Sequence, residues 1–254
     1  MRLTRLIVAS LGVAAACLLP STAAFAVSTN VAVAANFTEA AKEIAAAFKA
    51  KTGDEAALSF GSSGQFYTQI KQDAPFEVFL SADDSRPKKL VDDGLGVADS
   101  RFTYAIGKLV LWSKSLDVSK GDEALKAGAF SKLSIANPTA APYGAAAVDT
   151  LKALKLYDIL QSKIVQGENI GQAFQFVDTG NAELGFVALS QVAGVSSGSR
   201  WLVPQTLYAP ILQDAVLLKK GAANQAATGF MAFLKGPEAH AIIEKYAYSV
   251  EAKN

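Results

Sequence analysis

Two serines framed by glycines, Gly61-Ser62-Ser63-Gly64, separate an apolar run (Ala56, Ala57, Leu58, Phe60) from an amphipathic stretch that runs on to Ile70. A strand that ends in such a turn and opens a helix leaves the first helical N–H groups without backbone partners. The aligned peptide dipoles add roughly half a positive charge at the same place. Serine hydroxyls contribute further donors and glycine lets the backbone approach closely, so the chemistry on offer is anion binding. A serine at one helix start is ordinarily just a cap. Here the arrangement recurs, because Ala34-Ala35-Asn36, Pro142-Tyr143-Gly144 and Asn169-Ile170-Gly171 each stand between an apolar run and a helical pattern. Together the helix starts supply at most about +2, a match for a small dianion. The turns contain no Lys or Arg, and the carboxylate beside them, Glu168, need not face inward.

Other chemistries lack residues. Gly61-Ser62-Ser63-Gly64 does not fit the G-x-S-x-G nucleophile turn, and the single histidine, His240, lies in the C-terminal helical pattern. The one cysteine, Cys17, belongs to the leader, so zinc and thiol chemistry lack ligands. A ferric site built on clustered tyrosines is the remaining metal alternative, with Tyr104, Tyr143 and Tyr157 as its material. Asp83-Asp84 and Asp92-Asp93 read as helix caps and solvated faces, and Trp112 and Trp201 as core. No catalytic residue, cofactor or free metal cation is therefore expected. The chain has 24 basic and 23 acidic residues. Without Arg2 and Arg5 the balance is 22 against 23, or −1, which gives no footing for nucleic acid.

The elements that must position these turns follow from the apolar pattern. Residues 1–26 combine a basic start, an apolar Leu6–Leu19 and a small-x-small Ala24-Phe25-Ala26, the signature of a secretory signal peptide cut after Ala26. Beyond it, apolar runs of strand length alternate with helical patterns: VAVAAN then FTEAAKEIAAAFKAKTG, FEVFLSADD then RPKKLVDDG, LSIANP then AAAVDTLKALKLYDIL, KIVQGENI then GQAFQFVDTG. This alternation predicts α/β architecture with mostly parallel sheets. Two longer extended segments, Phe102–Lys114 and Tyr208–Lys219, exceed ordinary strand length. They are expected to run between two lobes, one outgoing and one returning. The first lobe is then discontinuous, 27–107 with 212–254, and the second covers 108–211. Strand ends of both lobes would face a shared cleft, with two of the turns in each lobe. A protonated anion needs an acceptor for its proton, so a cleft of neutral donors favours sulfate-like or molybdate-like ions over phosphate.

The chain resembles the periplasmic molybdate-binding proteins of ABC importers, within the type II solute-binding proteins. The resemblance rests on VAVAANFTEAAKEIA, SFGSSGQFYTQI, DAPFEVFLSAD, PYGAAAVDTLKAL, LGFVALSQV and FLKGPEAHAIIEKY, in that order. It implies the two-lobe periplasmic-binding-protein fold and a monomer in the periplasm. It also implies molybdate or tungstate as ligand and the transmembrane subunit of a molybdate ABC transporter as partner. By position, it implies side-chain and backbone donors at Asn36 and Ser63, backbone N–H groups at Tyr143 and Ile170, and Ala35 flanking the first turn. Some members carry a tyrosine hydroxyl at the place of Ala188, for which Tyr143 or Asn36 would have to compensate. Another small oxyanion or ferric iron is the alternative cargo, and a secreted serine hydrolase the alternative outside transport.

Overall fold

A computed structural model describes residues 26–250 of the 254-residue chain. The signal peptide read over 1–26, Cys17 included, lies outside the described residues apart from Ala26. The first apolar run forms β1 (Ser28–Ala34) and passes through a 3-10 turn, Ala35–Phe37, into α1 (Thr38–Thr52). Gly53 stops that helix in the left-handed conformation at φ 82°, which a side chain would resist. There follow β2 (Glu55–Gly61), α2 (Ser63–Lys71), β3 (Val78–Leu80), α3 (Ser85–Asp92), β4 (Phe102–Gly107), β5 (Leu109–Ser113), α4 (Glu123–Ala127) and β6 (Leu133–Ala136). The chain continues as α5 (Pro142–Ala153), α6 (Tyr157–Leu160), β7 (Ile164–Gly167), α7 (Ile170–Asp178), β8 (Leu184–Ala188) and α8 (Leu189–Val192). It ends with β9 (Ser199–Leu202), β10 (Ile211–Leu217), α9 (Gln225–Leu234) and α10 (Pro237–Lys245).

The strands assemble into two five-stranded sheets, ordered β2-β1-β3-β10-β4 and β7-β6-β8-β5-β9. In the first sheet β10 alone runs against its neighbours, and in the second β5 does. Each reversed strand is the one by which the chain has just entered from the other lobe. The outgoing crossing is abrupt, since Lys108 is all that separates β4 in one sheet from β5 in the other. The returning segment is not one long strand. A 3-10 turn at Gln205–Leu207 precedes it, and β10 begins only after Pro210, which has no N–H for a ladder. The run 145–160, expected as one helix, is likewise two: Lys155 adopts φ 60° and ends α5 before α6 begins.

Continuous apolar strands are explained by cover on both faces. Val31 and Val33 pack with Ile44, Phe48 and Phe230, whereas Ala32 between them meets Phe66, Phe79 and Leu90. Leu109 and Leu111 join Leu133 and Leu151, whereas Val110 and Trp112 join Val177 and Val187. Alternate side chains of a strand point to opposite faces, so a strand apolar at every position belongs between two layers. Trp112, stacked on Phe174 at 5.2 Å between centroids, is core as expected.

The lobes are closed on each other. Gly64 N–H donates to Ala140 O at 2.8 Å, Arg86 Nη2 to Thr139 O at 2.9 Å, and Ser190 Oγ to Asn36 O at 3.0 Å. A Cβ at Gly64 would stand 2.9 Å from Ala140 Cα, so only glycine lets these two backbones approach this closely.

Candidate functional site

Parallel register sets the site. Ala34 pairs with Gly61 at the ends of β1 and β2, and Ala136 pairs with Gly167 at the ends of β6 and β7. The turns therefore leave each sheet side by side, and closure brings the two pairs face to face. Between them lies a cavity of about 10 Å³ walled by residues of all four turns together with Ala82. Ala35, Asn36, Ser63, Tyr143 and Ile170 are all on that wall, and none of the lining residues is charged. The space is more than tenfold below the roughly 300–1,000 Å³ of drug-sized ligand pockets. It suits one small ion.

At the second turn, Ser62 is the N-cap of α2. Its hydroxyl accepts from Gln65 N–H and the Gln65 side chain accepts from Ser62 N–H, a reciprocal box that engages the Ser62 N–H and leaves its hydroxyl proton uncommitted. Ser63, the first residue of α2, is 1% exposed and its Oγ accepts from Ala82 N–H at 2.9 Å. An acceptor bond from Ala82 leaves the hydroxyl proton free to donate, and the N–H of a first-turn residue has no intrahelical partner. Ser63 thus offers two donors held by a buried anchor.

The second lobe works through its backbone. Pro142 opens α5 and has no N–H, so the leading free donor is Tyr143 N–H. Ile170 opens α7, capped by Asn169, whose side chain accepts from Gln172 N–H at 3.0 Å. Its own N–H is an orphan of the first turn, while its side chain is buried among apolar neighbours. Gln172 Oε1 accepts from Glu168 N–H at 2.7 Å. The Glu168 carboxylate lies off the cavity wall and accepts from Gln65 Nε2 at 3.4 Å.

The first turn departs from the expected pattern. Asn36 is not a helix cap but part of the 3-10 turn before α1, so three α-helix starts and one 3-10 turn surround the cavity. The Asn36 side chain is drawn away by buried partners: Nδ2 donates to Gln213 Oε1 at 2.7 Å and to Tyr248 OH at 2.9 Å. Behind the cavity, Tyr104 OH donates to Ser81 O at 3.0 Å, and Gln213 Nε2 reaches Tyr143 OH at 3.5 Å. Burial lifts the Tyr104 and Tyr143 hydroxyls well above the usual phenol range. It lifts Tyr248 to about 12 against the pull of bonds with Ser190 and Asn36. Of Tyr104, Tyr143 and Tyr157 only Tyr143 reaches the cavity, so the tyrosines are not clustered as a ferric site would need. Among the described residues no cluster of His, Cys, Asp and Glu is arranged to hold a metal ion. His240, on α10, is not on the cavity wall.

Ala188 is completely buried, its N–H donating to Gln191 Oε1, and it does not line the cavity. Sequence reading misses the supports: Ala82, Gln213, Ser190 and Tyr248. Only Gln213 leaves a trace, as a polar residue inside the apolar strand ILQDAVL.

Residues 29–249 match the model of the bacterial extracellular solute-binding protein family. The chain is 57% identical over 222 residues to the molybdate-binding protein ModA of Rhodobacter capsulatus, covering 87% of each chain. It is 55% identical over 233 residues to ModA of Azotobacter vinelandii, covering 90% of this chain and 92% of that one. Among solved structures, the Azotobacter vinelandii periplasmic molybdate-binding protein superposes with a TM-score of 0.85 at 42% identity, over 88% of this chain and all of the other. Fold, closed two-lobe site and extent of likeness agree: the chain belongs to the bacterial extracellular solute-binding proteins.

Proposed function

We propose that this protein captures molybdate, and tungstate with it, between its two lobes and delivers it to the transmembrane subunit of an ABC importer. It acts in the periplasm as a monomer after removal of the leader over 1–26, and it catalyses no reaction. The lobes are 27–107 with 212–254 and 108–211, turning about the crossings near Lys108 and Pro210. Ser63 supplies a hydroxyl and an N–H, Tyr143 and Ile170 supply N–H groups, and Asn36 supplies its side chain, with Ala35 beside it on the wall. The observation that carries this reading is a small closed cavity lined by uncharged donors from both lobes and by no carboxylate. Each hydrogen bond to a charged guest contributes about 1.5–3 kcal/mol net, enough in combination to offset dehydration of a dianion. The names of the relatives at 55–57% identity point to the same cargo.

Calorimetry and native mass spectrometry of the mature protein against molybdate, tungstate, sulfate, phosphate and ferric citrate test the reading. One ion bound per chain, with molybdate and tungstate tightest, is the expected result. Phosphate binding more tightly than molybdate, or ferric iron alone binding, would overturn it.

A further inference from the structure

Asn36 lines the cavity, yet the end of its amide that is tied down is the donor. Nδ2 is committed to Gln213 and Tyr248, and Oδ1 is buried without a partner. A wall otherwise made of donors thus carries one unpaired acceptor, the wrong polarity for a fully ionised guest. Gln213 controls that polarity. It is completely buried on β10, beside the bulge between Gln213 and Asp214, and its Oε1 accepts from Asn36 Nδ2 and lies 3.3 Å from Tyr104 OH. Its Nε2 faces Tyr143 OH of the opposite lobe.

Every partner of Gln213 except Asn36 is a hydroxyl, which both donates and accepts. Its amide can therefore reverse without losing bonds. Gln213 Nε2 would then donate to Asn36 Oδ1 and to Tyr104 OH, and Oε1 would accept from Tyr143 OH. The Tyr248 hydroxyl, now 2.7 Å from Asn36 O, can turn its proton to Asn36 Oδ1, because Ser190 Oγ also donates to that carbonyl. In this second arrangement Asn36 Oδ1 is satisfied and Nδ2 is released to the cavity.

We propose that Gln213 is a positioning residue for anion capture, reversing together with Asn36 so that Asn36 presents N–H to an ionised guest. Through Tyr143 it ties that choice to the seating of the second lobe. The proposal rests on the oxyanion reading above.

The test is calorimetric titration of dilute molybdate into wild-type protein, Gln213→Leu and Gln213→Glu at about pH 6 and about pH 8.5, the range toward which burial raises an introduced carboxyl. The titratable groups facing position 213 are Tyr104, Tyr143 and Tyr248, neutral throughout this range, and the neighbouring Asp214, bonded to Arg101 and Thr103. Wild-type affinity is expected to vary by no more than about twofold between the two conditions. Gln213→Leu should bind about tenfold more weakly at both. The ionised carboxylate introduced by Gln213→Glu can only accept, which locks Asn36 Nδ2 against it and leaves Oδ1 toward the guest. Gln213→Glu should thus lose more than about tenfold at the higher pH and recover most of it at the lower, where the carboxyl carries a proton. Recovery by protonation, which Gln213→Leu cannot show, separates positioning from packing. Thermal unfolding checks that both variants fold, and if Gln213→Leu does not, the pH profile of Gln213→Glu decides. Wild-type affinity and a flat profile in Gln213→Glu overturn the proposal alone. A wild-type chain that binds no oxyanion overturns the functional reading and this proposal with it.

Discussion

The first lobe brings side chains to the cavity, Asn36 and Ser63, each tied to a partner far along the chain, whereas the second brings backbone N–H groups at Tyr143 and Ile170. The tying partners differ too. Ser63 is anchored by Ala82 N–H within its own lobe, and Asn36 by a network that reaches Tyr143 in the other. Where a hydroxyl or amide donates, the residue type is dictated by chemistry. Where the backbone donates, the side chain is free to serve the core, so an isoleucine and a buried tyrosine can both stand at the proposed anion site. Pro142 and Asn169 do the selecting there, one by lacking an N–H and the other by engaging Gln172.

The contrast can be broken in order of size. The largest effect belongs to the seam the lobes share. With its folded pKa raised to about 12 from an ordinary 10, Tyr248 keeps its proton in the native state while the unfolded chain releases it. Its contribution is whole below about pH 10 and is lost as pH rises through 12, a change of about 3 kcal/mol. Denaturant unfolding followed at stepped alkaline pH should show this fall, and Tyr248→Phe should blunt it. A wild-type curve flat through that window would remove the phenol from the stabilising seam.

Next comes Ser63→Ala, expected to weaken molybdate binding by about 2–3 kcal/mol through loss of a charge-assisted donor. It should also lower stability by about 1 kcal/mol, because Ala82 N–H is left unpaired. Titration and thermal unfolding read the two separately, and unchanged affinity would strike Ser63 from the site. Ile170→Pro removes the backbone donor while keeping the helix start, since proline is tolerated at the first helical position. Asn169 before it is already extended at φ −145° and ψ 174°. A loss of about 1.5–2 kcal/mol in binding is expected. Asn36→Ala should cost about 1–2 kcal/mol, less than Ser63→Ala, because part of its amide is already engaged by Gln213. Smallest is Ile170→Val, which matches proline in side-chain carbons but keeps the N–H. Its affinity should stay within about 0.5 kcal/mol of wild type despite a stability loss of the order expected for Ile→Val. If Ile170→Val and Ile170→Pro bind equally, the second lobe does not act through its backbone.

Much of the fold is readable in the chain alone. The unbroken apolar runs of β1 and β5 announce strands covered on two faces, and the turns after β1, β2, β6 and β7 stand out as small or polar punctuation. The five expected site residues share one cavity because parallel pairing levels the strand ends, a consequence of β/α alternation that sequence can anticipate. The returning crossover is less legible. Tyr208–Lys219 looks uniformly extended, yet the strand begins past Pro210, and the bulge at Gln213/Asp214 depends on pairing with β4. That Asn36 sits in a 3-10 turn is not legible either, because Asn before a helical pattern is equally suited to a cap.

The sequence by itself determined the local alternation of strand and helix, the uncharged character of the turns and the backbone donors that helix starts must leave open. These follow from neighbours within a few residues, whose sterics and hydrogen bonding repeat in every protein. Tertiary structure alone decided which atom of Asn36 is spoken for, that Ser63 leans on Ala82, and that Gln213 stands between Asn36 and Tyr143. Asn36 and Gln213 lie 177 positions apart. A hydrogen bond of that span is directional and short-ranged, so it exists only once the first sheet has gathered β1 and β10, and its extension to Tyr143 only once the lobes have met.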